Sequence, residues 1–201
     1  QKPRAQFEEV YQDALASGTI ATVGGSAALV PFLQARVDGE RAYATLDAAA
    51  AERIPPEEVV LHADLDRFMA LYEVLAHALG EMAKLPKGEY DASFTLERYM
   101  VDWIERGARS VSATAGPEAA AGLYPLAEDV WENALKQQAS SVQGHLEAAL
   151  YFARHDNDAR ARQLFRAGAG RHTDENKMPL IEEWVRFEHA RGSMSEIEHT
   201  E

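Results

Sequence analysis

Cysteine is missing from all 201 residues. That excludes a disulfide framework, a zinc site built on thiolates and a cysteine nucleophile. Long apolar runs are missing as well: no stretch offers the roughly 18 or more consecutive apolar residues of a membrane-spanning helix. The N-terminus reads Gln1-Lys2-Pro3-Arg4, without an initiator methionine and without the apolar segment of a secretory signal behind it. With an ending at Ser195 to Glu201 that reads as the start of another helix, this predicts a segment cut from a longer protein. Basic charge is scarce, with 20 Lys and Arg against 33 Asp and Glu and a net charge of -13. Phosphate contacts supply most of the affinity of nucleic-acid modules, so sequence-independent RNA or DNA binding is disfavoured, and basic protein segments are the favoured partners. Strand signals are nearly absent: the nearest, Thr19 to Val23, is short.

Catalytic constellations are also lacking. The seven histidines, His62, His77, His145, His155, His172, His189 and His199, are scattered; Glu73 and His77 share a helical face, but no metal-ligand spacing occurs. Gly24-Gly25-Ser26 precedes a helical stretch, yet no lysine completes a phosphate-binding loop, so it reads as a loop with Ser26 as N-cap. No Gly-x-Ser-x-Gly elbow is present, and the carboxylates lie singly on helical faces. The expectation is a chain that is not an enzyme and holds no cofactor or metal.

What the sequence has in abundance is helical periodicity: Ala, Leu, Glu and Arg dominate, with apolar residues recurring at three and four. Helices are expected over 4–16, 27–37 (ended by Gly39, with Pro31 uncomfortably inside), 40–53 and 57–83. Ser93 is expected to cap another, carrying Leu96, Tyr99, Met100, Trp103 and Ile104; residues 110–122, small and polar, read as a flexible loop. Helices then follow regularly over 126–137, 141–154, 159–169 and 178–191. Short polar joints between them predict antiparallel neighbours.

These last helices repeat. Ala127 to Leu135 aligns with Ala161 to Ala169 at an offset of 34, so Trp131 matches Phe165; Leu146, Ala149 and Phe152 match Ile181, Trp184 and Phe187 at an offset of 35. Val10 to Leu15 shows the same pattern. A period near 34 belongs to helix-pair solenoids, in which stacked pairs complete each other's core. Trp131, Phe165, Trp184 and Phe187 therefore read as core residues rather than base-stacking platforms.

The pattern Ile181-x-x-Trp184-x-x-Phe187-Glu188-x-x-x-Gly192 resembles the first helix of a half-a-TPR (HAT) repeat, and Asn157-Asp158 followed by Ala161 to Arg166 resembles the second. The likeness covers about 126–201 and fades before Ser93; the aromatic positions at Leu146 and Ala149 are degenerate, and the proline often found after the second helix is missing near His172. HAT repeats are concentrated in RNA-processing proteins. The resemblance implies an all-α, α-α superhelix of TPR-like helix pairs, one domain over 1–201 that is irregular at 1–92 and regular at 93–201. Its signature positions would be Trp131, Leu135, Phe152, Arg162, Phe165, Trp184, Phe187, Glu188 and Gly192, with Glu188 making structural bonds within the repeat. It further implies a nuclear protein-interaction scaffold, in pre-mRNA splicing before mRNA 3'-end or ribosomal RNA processing, partnered by proteins of such complexes, with RNA held only indirectly, no membrane, and a homodimer through the C-terminal array. A rival reading is direct RNA binding through Arg154, Arg160, Arg166 and Arg171, which cluster with Arg162.

Overall fold

The computed structural model describes residues 2–86, 89–170 and 177–191. Among them the regular structure is helical throughout, with no strand. Two compact units divide the chain, residues 1–130 and 131–201.

In the first unit, α1 (Lys2–Ala16) is followed by α2 (Thr19–Glu52), α3 (Leu65–Met82), α4 (Thr95–Ala115) and the short α5 (Pro117–Ala121). α1 packs on α2, and α2, α3 and α4 pack on one another. The joining core contains Tyr11, Leu29, Val30, Leu33, Ala78, Met82 and Leu96. Tyr11 and Phe32 stack with ring centroids 5.0 Å apart. By length and composition alone α2 is apolar enough to cross a membrane; its Leu29, Val30 and Leu33 are committed to this core.

Several local expectations give way here. Residues 19–23 are helical, and α2 continues past Gly39 as one element, interrupted only at Gly25 (φ 53°, ψ -147°). Gly39 serves close approach instead of termination: a Cβ there would lie 3.0 Å from the Phe7 ring of α1. Glu40, one residue on, is buried and bonded by both Arg36 and Arg4, which ties the helix together at the very place a stop was expected. The expected helix from Glu57 starts later. Pro55-Pro56 leads into two single-turn 3-10 helices (Pro56–Glu58 and Leu61–Ala63), and Asp64 caps α3 by accepting from the Arg67 N–H at 2.9 Å.

Ser93 does not cap α4. The Asp91 carboxylate takes the N–H groups of Ser93 and Thr95 at 2.9 and 2.8 Å, and a charged acceptor outcompetes a hydroxyl. The expected loop at 110–122 is mostly helix: α4 runs on to Ala115, Gly116 turns the chain at φ 92°, and Pro117 opens α5 with its ring pre-set for a first helical position.

The helix α6 (Tyr124–Gln137) leads into the second unit, formed further by α7 (Val142–Arg154), α8 (Asp158–Gly170) and α9 (Met178–Arg191), close to the expected bounds. Ser141 caps α7 through the Gly144 N–H at 3.0 Å. A three-residue joint turns α7 into α8, and α7, α8 and α9 pack mutually.

Candidate interaction surfaces

The second unit is organised around one aromatic and ionic cluster. The four-residue spacing of Trp184 and Glu188 on α9 places both on one face, and the same spacing on α8 would align Ala161 with Phe165. Phe165, fully buried, stacks on Trp184 (6.1 Å, 2°) and tilts against Phe187 (5.6 Å). Beside them the Glu188 carboxylate, 2% exposed as a residue, accepts the Trp184 indole N–H at 3.1 Å and the Arg162 Nε–H at 3.0 and 3.1 Å. The Arg162 guanidinium lies 5.4 Å from the Phe187 ring centroid. A buried carboxylate is tolerable only when paired and hydrogen-bonded, and these donors meet that need.

The other positions expected to carry the repeat signature are placed separately. Trp131 and Phe152 are buried, and Leu135 is half-buried beside Arg160 and Lys136 in a shallow cleft of about 370 Å³. Gly168 packs under Leu180 and His145, where a Cβ would lie 2.9 Å from the His145 Cβ. Gly192 lies outside the described residues.

The arginines do not form one uniform row. Arg160 bonds Glu132 (3.1 Å) and Gln163 (2.6 Å) and sits 5.9 Å from the Phe152 ring centroid. Arg162 faces inward to Glu188, while Arg154 and Arg166 are exposed. Arg171 lies outside the described residues. Arg191 of α9 bonds Asp156 (2.5 Å) and Asp158 (3.1 Å), linking α9 to the joint that precedes α8.

Charge is spread unevenly along the sequence. Residues 1–130 carry 21 acidic and 11 basic side chains, a net -10; residues 131–201 carry 12 and 9, a net -3. Most of the net negative charge thus belongs to the first unit.

That unit also holds two buried glutamates in opposite electrostatic settings. Burial would push the Glu40 carboxyl up, but hydrogen bonds from Arg36 and Arg4 outweigh it and hold it below the usual range. Burial pushes the Glu97 carboxyl up, against the hydrogen bond it accepts from the Tyr90 hydroxyl.

A cleft of about 650 Å³ opens between α2, the strap at 59–62 and α4. Leu46 and Val60, 55% and 56% exposed, line it. Its inner wall holds Trp103 and His62, with ring centroids 4.3 Å apart. Burial, with Arg106 nearby, favours neutral imidazole, and the His62 Nε2 is closed off from solvent with no hydrogen-bond partner. Nothing in the sequence pointed to this cleft, because its residues come from three segments up to 68 positions apart, Asp38 to Arg106.

Among the described residues, no group of three or more His, Asp and Glu side chains is placed to hold a metal ion. In comparisons with known proteins, no family model, no curated protein and no solved structure matches the chain.

Proposed function

We propose that this chain is a protein-docking scaffold built from HAT-like helix pairs, acting in RNA processing. The observation that carries the reading is a shared burial register. Ala127, Val130, Trp131 and Ala134 on α6 are buried, and so are the residues 34 positions later on α8: Ala161, Leu164, Phe165 and Gly168. Ala149 and Phe152 on α7 are buried, as are Trp184 and Phe187, 35 positions later on α9. Most aligned positions thus share their burial in helices one repeat apart, Leu146 (buried) and Ile181 (half-buried) being the pair that differs, and this register supports the stacking logic of a solenoid.

The Arg162–Glu188–Trp184 cluster supports the same reading, since the acid implied by the HAT resemblance bonds within the array. Leu146-Glu147, Phe187-Glu188 and the run Glu188 to Ser193 resemble the C-terminal HAT region of the spliceosomal snRNP recycling factor, which favours pre-mRNA splicing, a nuclear location and self-association. The net -10 of residues 1–130 makes a basic protein segment the fitting partner. RNA would then be held by other parts of the assembly.

The test is a pull-down from nuclear extract with and without ribonuclease, the bound proteins being identified. A defined set of proteins that survives ribonuclease is the expected result. Loss of every partner with the RNA would overturn the reading and turn attention to Arg154, Arg160 and Arg166. Light scattering at high micromolar concentration tests self-association separately, with a dimer expected.

A further inference from the structure

We propose that the strap at 59–62 is an acid-released latch, seated on α4 by the neutral imidazole of His62 against Trp103 and freed when that ring takes a second proton. Little else holds the strap. Among the described residues its backbone hydrogen bonds are local: the N–H groups of Glu58, Val59 and Ala63 donate to the carbonyls of Pro55, Pro56 and Val60. Of its side chains, Val59 is half-buried and Val60 is exposed, while Leu61 is buried and His62 lies against Trp103 with ring centroids 4.3 Å apart. Leu61 and His62 therefore carry most of its attachment to the helices.

The seat of His62 suits the neutral ring only. Its Nε2 is closed off from solvent and has no hydrogen-bond partner. As the bare nitrogen of a neutral imidazole it forgoes one acceptor bond. As the N–H of an imidazolium it would be a buried cationic donor without acceptor or water, which costs far more. The surrounding charges do not compensate. On α4, Arg106 and Arg109 oppose a charge at His62 and Asp102 favours it, but Asp102 is paired with Arg106 at 2.5 Å, and Arg109 has Glu105 at 3.7 Å. On α2, Asp38 and Arg41 line the same cleft as a pair at 3.2 Å. At the start of α3, Asp64 accepts from the Arg67 N–H and Arg67 pairs with Glu52. Glu57 and Glu58, ahead of the strap, are exposed. Burial therefore holds the seated ring below the ordinary histidine range, with Arg106 adding to the effect. Lifting the strap off α4 hydrates the ring and returns it to about 6.5. The seated form carries no penalty above that pH. Below it, the released form binds a proton that the seated form refuses, so the released fraction grows by up to about tenfold per pH unit until the seated ring itself titrates. Release removes one wall of the cleft and opens Trp103 to water. None of this depends on the docking function proposed above.

The test is hydrogen exchange read by mass spectrometry on the full 201-residue chain, with protection corrected for the intrinsic chemical rate at each pH. Between about pH 7 and about pH 5, protection over 57–63 is expected to fall about tenfold or more, while that of α3 and α8 holds. His62→Phe keeps a ring against Trp103 with nothing to titrate, and its strap protection should be flat over the same range. The proposal is overturned if strap protection in the parent does not change with pH, if α3 loses protection in step with the strap, or if the fall persists in His62→Phe. A second measurement stands without the variant: the His62 ring proton resonances of the parent should titrate below about pH 6.5, and titration at or above that value overturns the proposal.

Discussion

The folded state rests on a few residues whose environments leave little choice of side chain. Glu188 is one, because its carboxylate serves two buried or half-buried donors at once. Glu188→Ala removes the carboxylate from both the Arg162 Nε–H and the Trp184 N–H, and should destabilise the second unit by about 2–4 kcal/mol in urea unfolding. A double-mutant cycle with Arg162→Ala should show clear coupling between the two sites. Gly168 is another. Alanine would be the better helix former by about 1 kcal/mol. Yet its Cβ would run into Leu180 and His145, so Gly168→Ala should lower stability by about 1–3 kcal/mol through overpacking. The matching position 34 residues earlier is an alanine, Ala134, which shows that the requirement comes from the neighbours and not from the helix.

Glu97 and Glu40 provide a pair of pH experiments of opposite sign. The Glu97 carboxyl titrates above its unfolded value, so its contribution is fully present below that unfolded pKa, near about 4.3, and is lost as pH rises through the folded value. Glu97→Gln keeps an acceptor for Tyr90 without the charge. Its melting temperature should exceed that of the parent at pH 7 and approach it near pH 4. Glu40 titrates below its unfolded value, so its contribution is present above that value and fades as pH falls through the folded one. Glu40→Gln should accordingly be less stable than the parent at pH 7, with the gap closing in acid. Melting curves between pH 3 and pH 8 for both variants check the signs.

Element by element, the sequence spoke most clearly where packing is local. The bounds of α9 match the periodicity, and α7 begins one residue after its expected start, where Ser141 caps it, because capping and stripe placement depend on residues within one or two turns. Reading failed where distant partners decide. Gly39 reads as a terminator until Phe7 is seen against it; Pro31, read as uncomfortable inside its helix, does lie within α2, at an exposed position. The run at 110–122 reads as a loop because Ala and Ser alone carry no stripe, yet Ala120 is buried. The interruption of α2 falls at Gly25, within the Gly24-Gly25-Ser26 run read as a loop, and its backbone angles are ones only glycine adopts with ease. Gly25→Ala should cost about 1–3 kcal/mol in chemical unfolding, whereas Gly80→Ala, with open space around the site, should be neutral or stabilising.

At the scale of the molecule, composition gave the class and charge gave a direction, but neither located a surface. The all-helical architecture followed from periodicity. The helices at 126–191 could be aligned because each repeats a pattern of its own chain. The cleft of the first unit could not be read at all, since Leu46, Val60 and Trp103 meet only after α2, the strap and α4 have folded together.

The three tryptophans also divide between the units. Trp103 is buried in the first, stacked on Phe68 at 6.0 Å; Trp131 and Trp184 are buried in the second, Trp184 with its indole N–H on a carboxylate. Each half of the molecule therefore carries its own intrinsic fluorophore, and a chain without cysteine needs no thiol protection while it is studied. Replacing Trp103 by Phe leaves an emission signal that reports residues 131–201 alone, and replacing Trp131 and Trp184 leaves one for residues 1–130. Comparing the two denaturation profiles would reveal whether the halves melt as one cooperative body or in sequence.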